Sequence, residues 1–381
     1  MLLNQLGLYV HFPYCNRRCP YCDFTLTTSA IPHEQYLQAV LSELTSLVDR
    51  FAPFPSLTSL YIGGGTPGLW NPKSLNSLVD TVDHLIGFHS NAELTLEANP
   101  AELTLSLAKE WKHAGFNRLS LGIQSFSADT LIRLGRTHNP DEARQAVGWA
   151  RIAGFDNLNI DLIHGLHGQG VTGALEDLKS ALAVDPEHIS LYQLTIEPQT
   201  QFGARAKRGE RLNDPEELLT EEYIQLSKAL SIAGRPLYEV SNAARPGRES
   251  KHNQLYWKGA QYLGVGTGAH GLIQSRNQPQ YAWRWQNIRK PSEYIKRALM
   301  KQSVTEETSL LDEVAICEEK VLVGLRLTEG LKASPQMKEK YGQRALQLVA
   351  EGLLSIQGDQ WYATSKGRLL LDHLTTRLLI D

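Results

Sequence analysis

Strand-like and helix-like segments alternate along most of this chain, and no other feature constrains its fold as strongly. Short runs of apolar residues recur between longer stretches with helical periodicity. The strands are predicted at Leu8–Phe12, Leu57–Ile62, Glu93–Ala98, Arg118–Gln124, Leu158–His164 and His188–Thr195. The helices are predicted at His33–Asp49, Pro72–Leu85, Leu103–His113, Pro140–Ala153 and Val171–Val184. This alternation is typical of an α/β fold with a parallel sheet, and six units rather than eight predict a partial (β/α)6 barrel.

Three of the predicted strands carry a polar face opposite an apolar one. Helices would cover the apolar side, so the polar side should face the lumen of the barrel. A closed eight-stranded barrel fills its lumen with apolar side chains, and we therefore expect a wider lumen that holds a polar ligand. The alternative is a sheet with one solvated face. The polar residues concerned are Glu93, Thr95, Glu97, Ser120, Gly122, Gln124, Asn159 and Asp161.

Three of the four cysteines lie close together, in the spacing Cys-x3-Cys-x2-Cys. Thiolates at Cys15, Cys19 and Cys22 can converge on one soft metal centre, either an iron–sulfur cluster or zinc. A zinc site would need a fourth ligand, which His11 could supply. Cys317 stands alone in a helical pattern and is predicted to be a small core residue.

A glycine-rich segment, Gly63-Gly-Gly-Thr-Pro67, follows the second predicted strand. On its own, such a run is more often just a tight turn. The carboxyl ends of parallel strands meet at one edge of a sheet, so this segment should lie beside the cysteine cluster. Glycines at that place would let a ligand approach backbone amide and carbonyl groups closely. We therefore predict a ligand site at this edge.

The composition excludes several other classes of protein. The 381 residues include 41 acidic and 38 basic side chains, a formal charge of −3, which gives no electrostatic reason to expect a nucleic-acid partner. No stretch approaches the roughly 20 apolar residues that span a bilayer. Four cysteines are too few for a disulfide framework, and the start of the chain has no recognisable leader. These features favour a cytoplasmic protein.

The length of the chain favours one large domain and one smaller domain. We place the first at residues 1–285 and the second at residues 286–381. The second is predicted to be mostly helical, with helices at Pro291–Met300, Leu311–Leu325 and Ser334–Glu351 before a short hairpin. Helices followed by a hairpin are typical of a winged-helix-like module. We expect it to cover the open side of the barrel or to bind a partner, rather than to bind DNA.

The combination of these motifs resembles the radical S-adenosylmethionine (SAM) superfamily. Within it, the chain is most similar to the group of oxygen-independent coproporphyrinogen III oxidases and HemW haem chaperones. The segments that carry the resemblance begin at Tyr9, Cys19, Gly63, Leu121, Asn159 and His252 and read YVHFPYC, CPYCDF, GGGTP, LGIQSF, NIDLIHG and HNQLYW. The resemblance implies that the three clustered cysteines hold three irons of a [4Fe–4S] cluster, whose fourth iron is open to SAM.

The same resemblance implies a set of SAM contacts. Arg136 would suit the carboxylate of SAM by paired hydrogen bonds, and Glu97 and Asp161 would accept hydrogen bonds from its amine or ribose. In isolation, Arg136 would more simply form a surface ion pair and Asp161 a structural hydrogen bond. The full set of expected contacts is Tyr9, Tyr21, Gly64, Gly65, Thr66, Glu97, Gln124, Arg136, Asp161, Thr195 and His270.

Two features separate this chain from the oxidases that it resembles. The oxidases carry another cysteine two residues after the third ligand, where this chain has Phe24, and they have a longer amino-terminal arm. In both respects the chain matches the haem chaperones. We therefore expect a protein that binds haem and delivers it to haem-requiring proteins such as respiratory enzymes, without coproporphyrinogen oxidase activity. The alternative is a SAM-dependent oxidoreductase that acts on a porphyrinogen or another substrate.

Several histidines are candidates for the haem ligand. His252 lies in a segment rich in turn formers, and its neutral imidazole could ligate iron while Tyr256 and Trp257 pack against the macrocycle. The same segment could equally be a helix cap with a buried aromatic anchor. His164 and His167, after the fifth strand, are rival candidates. The expected partners are haem and haem-accepting proteins, and peripheral association with a membrane is compatible with this role.

Overall fold

A sheet of eleven strands dominates the described residues, 3–380, in this computed structural model. Its strands are β1 (Leu3–Phe12), β2 (Leu57–Gly64), β3 (Phe88–Ala98), β4 (Arg118–Gln124), β5 (Leu158–His164), β6 (His188–Gln193), β7 (Asn242–Ala244), β8 (Ala260–Gly266), β9 (His270–Gln274), β10 (Ala282–Asn287) and β11 (Thr305–Leu311). A second, smaller sheet is formed by β12 (Leu331–Lys332), β13 (Leu354–Gln357) and β14 (Gln360–Ala363).

Helices connect the strands and form most of the carboxyl-terminal part. They are α1 (His33–Phe51), α2 (Pro72–Leu85), α3 (Leu105–His113), α4 (Ala128–Arg133), α5 (Pro140–Ile152), α6 (Gly170–Ala183), α7 (Gln201–Lys207), α8 (Glu216–Ile232), α9 (Lys251–Trp257), α10 (Pro291–Leu299), α11 (Glu313–Gly324), α12 (Pro335–Ala350), α13 (Ser365–Leu369) and α14 (Leu371–Leu379). No helix within the described range is long and apolar enough to cross a bilayer.

The first six strands are parallel and lie side by side in chain order. Helices α1 to α6 lie between them in the chain, so the predicted α/β fold with helical crossovers is confirmed. The sheet also extends beyond the six predicted strands. At one edge β8 pairs in parallel with β1 and is followed by antiparallel β9, β10 and β11, and at the other edge β7 pairs antiparallel with β6.

The apolar faces of the strands form the main core. Leu8, Leu60 and Ile62 on β1 and β2 have no solvent exposure, and each such side chain contributes about 1.5–3 kcal/mol on burial. Phe12 at the end of β1 stacks on Trp70, with 4.9 Å between ring centroids. On the polar faces of β3 to β5, Glu93, Thr95, Ser120 and Asn159 are buried as well. Glu97, Gln124 and Asp161, nearer the carboxyl ends, keep part of their surface exposed.

The carboxyl-terminal part has a hydrophobic core of its own, built by α11, α12, α14, β13 and β14 around Tyr341 and Trp361. Cys317 packs against this core but keeps part of its surface exposed. The predicted division between residues 285 and 286 falls inside β10, and the main sheet continues through β11. The outer ends of the two predicted domains, residues 1, 2 and 381, lie outside the described residues.

Helix α3 begins two residues later than predicted, at Leu105. A 3-10 turn, Pro100–Glu102, comes first, and Thr104 then caps the α-helix with its side chain. Asn99, which precedes the turn, makes no cap hydrogen bond there. Its side chain is engaged elsewhere, in the cavity described below.

A buried carboxylate, Glu43, joins α1 to the extended edge of the sheet. It accepts hydrogen bonds from the Gly266 amide at 2.9 Å, from Asn287 Nδ2 at 2.6 Å and from the Tyr294 hydroxyl at 2.6 Å. Burial raises the pKa of Glu43 to about 7, although these three donors favour its charged form. The Glu43 carboxylate therefore accepts hydrogen bonds from three separate elements, β8, β10 and α10.

Glu43→Gln tests this role. The amide that replaces one oxygen cannot accept a hydrogen bond, so at least one buried donor loses its partner. We expect the free energy of unfolding at pH 8 to fall by about 1–3 kcal/mol, measured by urea denaturation. Glu34→Gln, on the exposed side of the same helix, should change it by less than about 0.5 kcal/mol. An equal effect of the two substitutions would contradict the assignment.

Candidate functional site

A cavity of about 430 Å³ lies at the carboxyl ends of the parallel strands, beside the cysteine loop that follows β1. Most of the residues predicted as cofactor contacts line it, although they come from loops and strands far apart in the chain. Those that line it are Cys15, Cys19, Tyr21, Cys22, Gly64, Gly65, Thr66, Glu97, Gln124, Arg136, Asp161 and Thr195.

The cysteine loop folds back on itself over this cavity. The Cys22 amide donates to the Cys19 carbonyl at 3.1 Å, and the Cys15 amide donates to the Thr27 carbonyl at 3.0 Å. Burial raises the pKa of the Cys15 thiol to about 11 and also raises the pKa of Cys22. Among the described residues, no three His, Cys, Asp or Glu side chains are arranged to hold a metal ion. Three thiols around one cavity suit a cluster, in which each cysteine binds a different iron.

Two of the thiols are linked by a hydrogen-bonded bridge of side chains. Thr66 Oγ1 donates to Cys15 Sγ at 3.3 Å, and Arg136 Nη1 donates to Cys19 Sγ at 3.4 Å. Asn99 joins the two donors: its Nδ2 donates to Thr66 Oγ1 at 3.0 Å, and its Oδ1 accepts from Arg136 Nη2 at 2.5 Å. Sulfur ligands that accept hydrogen bonds in this way are stabilised as thiolates.

The Arg136 guanidinium keeps hydrogen-bonding capacity for a ligand. Besides its contacts to Cys19 and Asn99, Nη2 donates to the Gly122 carbonyl at 2.7 Å. Its Nε is buried without a partner among the described residues. An unpartnered buried donor in the wall of a cavity is costly unless something binds there, and it suits an anionic group such as a carboxylate.

Glu97 lines the cavity near the carboxyl end of β3. Its Oε1 accepts from the Tyr61 hydroxyl at 2.6 Å, and its Oε2 accepts from the Gly64 amide at 3.0 Å. Burial is the main cause that raises the pKa of Glu97 to about 7, and the nearby Asp161 adds to it. The backbone of the glycine run thus holds the Glu97 carboxylate, and the same run leaves room for a ligand.

Asp161 and Gln124 also belong to the polar lining. Asp161 Oδ1 accepts from Asn159 Nδ2 at 2.8 Å, and its Oδ2 accepts from the Ser120 hydroxyl at 3.4 Å. Burial raises the pKa of Asp161 above its usual value. Gln124 ends β4 with a φ of +71°, a left-handed conformation that breaks the strand at the cavity. The cavity is lined by four carboxylates and two guanidinium groups, a mixture that suits a ligand with both an amine and a carboxylate; these residues are Asp23, Glu97, Asp161, Glu197, Arg17 and Arg136.

The lining also includes residues that are not among the predicted contacts, and Tyr61 and Asn99 are two of them. Tyr61 on β2 lies between Leu60 and Ile62, so the alternation that identified the polar faces of β3 to β5 also marks it. Asn99 directly follows β3 and could have been identified from its place at the carboxyl edge.

Three predicted residues do not line the cavity. The Tyr9 hydroxyl shares a hydrogen bond of 3.0 Å with His11 Nδ1, next to the site. The other ring nitrogen of His11 bonds the Thr25 carbonyl at 2.7 Å, so both nitrogens are engaged away from the cysteines. His270 begins β9 with an exposed side chain. His252 is the third predicted residue that does not line the cavity.

His252 lies on α9, which Ser250 caps, so this segment is a capped helix rather than a loop, with His252 and Leu255 buried. Its Nδ1 shares a hydrogen bond of 2.8 Å with Ser59 Oγ, and its Nε2 shares one of 2.8 Å with the Tyr256 hydroxyl. Burial, helped by the positive charge of Arg118, lowers the pKa of His252 to about 3. The imidazole is therefore neutral and fully engaged.

The rival histidines also have partners. His164 Nδ1 lies 3.0 Å from Glu222 Oε2, and both side chains are buried. His167 Nδ1 lies 3.7 Å from Asp214 Oδ1 at a partly exposed position. Neither side chain lines the cavity.

Comparisons with known proteins agree with this geometry. The family model described as the radical SAM superfamily matches residues 9–180, and that of the HemN C-terminal domain matches residues 311–370. The solved structure of coproporphyrinogen III oxidase (HemN) from Escherichia coli, a radical SAM enzyme, shares the fold with a TM-score of 0.82 at 23% identity, over 99% of this chain and 90% of that chain.

Sequence relatives narrow the class further. The haem chaperone HemW of Escherichia coli is 34% identical over 382 residues, which cover 100% of this chain and 99% of that protein. The haem chaperone HemW of Haemophilus influenzae is 43% identical over 276 residues, 71% of each chain. The chain belongs to the HemW family of the radical SAM superfamily.

Gly64 is tightly constrained by its surroundings. Its φ is +117°, and a Cβ placed there would lie 2.6 Å from His11 Cε1. Gly87 provides a comparison, because its φ of +86° is also positive but the nearest atom to an added Cβ is 3.9 Å away. The two glycines therefore separate backbone strain from steric overlap.

We expect Gly64→Ala to lower the free energy of unfolding by roughly 2–5 kcal/mol, because left-handed strain and overpacking against the imidazole act together. Gly87→Ala should cost about 1–2 kcal/mol from backbone strain alone. Urea denaturation of both variants gives the comparison. Equal losses would show that His11 does not restrict the turn.

Proposed function

We propose that this protein holds a [4Fe–4S] cluster on Cys15, Cys19 and Cys22, binds SAM in the adjoining cavity and acts as a haem chaperone. The observation that carries the chaperone role is membership of the HemW family over the whole chain, with relatives named as haem chaperones. We propose that it delivers haem to haem-requiring proteins in the cytosol, where reducing conditions preserve cysteine thiols.

The chemistry of the cavity supports the cofactor part of this proposal. A cluster bound by three cysteines leaves one iron for SAM and supplies an electron to it. Arg136 would hold the carboxylate of SAM, and Glu97 and Asp161 would accept hydrogen bonds from its amine or ribose. Gly64 and Gly65 would face the methionine end, where side chains would obstruct a ligand. Tyr21, Thr66, Gln124 and Thr195 complete the proposed contacts.

The raised pKa of Glu97 predicts a pH dependence for SAM binding. SAM carries a net positive charge near neutral pH, and the buried carboxylate attracts it only when ionised. Because burial and Asp161 raise the pKa of Glu97 to about 7, protonation as the pH falls below 7 removes that attraction. We expect the dissociation constant of SAM to rise by up to about tenfold between pH 7.5 and pH 6.

Equilibrium dialysis of anaerobically cluster-loaded protein measures this constant. The range ends at pH 7.5 because the amine of SAM itself loses its proton above roughly pH 8. Glu97→Gln should bind SAM weakly at every pH and lose most of the pH dependence. A wild-type affinity that stays constant from pH 6 to 7.5 would contradict the assignment of Glu97.

A haem titration followed by visible spectroscopy tests the chaperone role. We expect saturation at about one haem per chain in anaerobically cluster-loaded protein. Weak binding that does not saturate would contradict this role. It would favour a SAM-dependent oxidoreductase of the coproporphyrinogen oxidase type, which coproporphyrinogen turnover and release of 5′-deoxyadenosine would then reveal.

We propose His252 as the haem ligand. Its imidazole is held neutral, as iron ligation requires, and ligation through Nε2 would require the hydrogen bond to Tyr256 to open. His252→Ala is expected to abolish the visible spectrum of bound haem. His113→Ala, at an exposed position on α3, should leave it unchanged. Retention of the spectrum in His252→Ala would direct the search to His164 and His167.

A further inference from the structure

A row of buried polar side chains leads away from Asp161 into the interior of the protein. Asn159 Nδ2 donates to Asp161 Oδ1 at 2.8 Å. Asn159 Oδ1 lies 2.6 Å from His188 Nδ1, and His188 Nε2 lies 2.9 Å from the Tyr238 hydroxyl. Asn159 is 2% exposed and His188 has no exposure. None of these three residues has a role in the proposed contacts with SAM.

The chemistry of each group fixes the direction of every hydrogen bond in the row. An amide oxygen can only accept, so His188 Nδ1 must carry a proton and donate to Asn159. Burial, with Arg118 nearby, keeps the pKa of His188 well below its usual value, so the ring is neutral. Its Nε2 is then an acceptor, and the Tyr238 hydroxyl donates to it.

The orientation of the Asn159 amide depends on the donor that faces its oxygen. The oxygen accepts from His188 Nδ1 and from the Ser190 hydroxyl, at 3.1 Å. This leaves Nδ2 to donate to Asp161 and, at 2.7 Å, to the Ser120 hydroxyl. An amide turned by half a revolution would place its oxygen against the Asp161 carboxylate and its nitrogen against a proton on His188. Both contacts would be repulsive.

Tyr238, at the far end of the row, is itself held on its backbone. Its amide donates to the Asn242 carbonyl at 3.0 Å, and its carbonyl accepts from the Thr328 amide at 2.9 Å. The Thr328 hydroxyl donates to the same carbonyl at 3.0 Å. These three hydrogen bonds hold the backbone of Tyr238, the residue at which the row begins.

We propose that His188 is a positioning residue for SAM binding: by donating to Asn159 it fixes the amide that orients the Asp161 carboxylate towards the ligand. The inference rests on the proposed contact between Asp161 and SAM. His188 and Asn159 do not touch SAM themselves, and they act through Asp161. Without the proton on His188 Nδ1, the amide oxygen keeps only the Ser190 hydroxyl as a donor, so the amide that donates to Asp161 is held less firmly.

Two substitutions of nearly equal shape separate this role from simple packing. Leucine and asparagine at position 188 leave a similar cavity, but only asparagine carries an N–H near the position of imidazole Nδ1. We expect His188→Leu to weaken SAM binding by about tenfold or more. His188→Asn should restore the affinity to within about threefold of the wild type. Thermal unfolding and cluster content should be similar in the two variants.

A second pair tests the amide directly. Asn159→Asp replaces the donor with a second carboxylate beside Asp161, and we expect SAM binding to weaken by about tenfold or more. Asn157→Asp makes the same chemical change just before the amino-terminal end of β5, outside the row, and should leave the affinity unchanged. Tyr238→Phe, which removes the donor that selects the tautomer of His188, should cause a smaller loss.

Equilibrium dialysis of anaerobically cluster-loaded variants with SAM at pH 7.5 gives the dissociation constants, and Asp161→Asn serves as the reference. Weak binding by Asp161→Asn, Asn159→Asp and His188→Leu, with recovery in His188→Asn, supports the inference. If Asp161→Asn binds weakly while both His188 variants bind like the wild type, only the positioning role is overturned. If Asp161→Asn binds like the wild type, the proposed SAM contact fails and the inference fails with it. Should His188→Leu not fold, the comparison of Asn159→Asp with Asn157→Asp still decides the question.

Discussion

The parallel arrangement of the first six strands is the constraint on which the site depends. Because every one of these strands runs in the same direction, the loops that follow β1 and β2 and the last residues of β3 and β4 all meet at one edge. Cysteines, glycines and charged side chains that are far apart in the chain are thereby collected around one cavity. An antiparallel order would divide them between the two ends of the sheet.

Placing charged groups in such a lumen is costly, and the structure offsets the cost locally. Burial raises the pKa of both Glu97 and Asp161, which measures how far the interior disfavours their charge. Each carboxylate is supplied with donors from the neighbouring strand or its own: Tyr61 and the Gly64 amide for Glu97, and Asn159 for Asp161. A cationic ligand would complete this compensation.

The periodic part of the fold was predictable because it depends on local pattern. Strands β4 and β5 and helix α2 match their predicted bounds, since each has a regular apolar repeat and clear ends. Strands β7 to β11 were not predicted. Strand β7 has only three residues, and β9, β10 and β11 pair antiparallel with their neighbours, so the regular alternation that marked the first six strands does not continue through them.

The site was predictable to the extent that its residues stand at the ends of predicted strands. Long-range partners were not predictable in this way. The motif that contains His252 gave no indication that Ser59 and Tyr256 would engage both ring nitrogens. Likewise, nothing in the local sequence indicates that the Asn99 side chain joins Thr66 to Arg136. Such contacts follow from the tertiary arrangement rather than from spacing along the chain.

The carboxyl-terminal part contacts the segment around Tyr238 through polar groups and also through its core, against which Val240 packs. Arg326 Nη2 donates to the buried Glu239 carboxylate at 3.1 Å, and its guanidinium lies 4.5 Å from the ring centroid of Trp257 on α9. Thr328 bonds the carbonyl of Tyr238, next to Glu239. A buried carboxylate that lost its arginine would be left unpaired, at a cost of several kcal/mol. The carboxyl-terminal part therefore stabilises the segment from which the hydrogen-bonded row reaches Asp161.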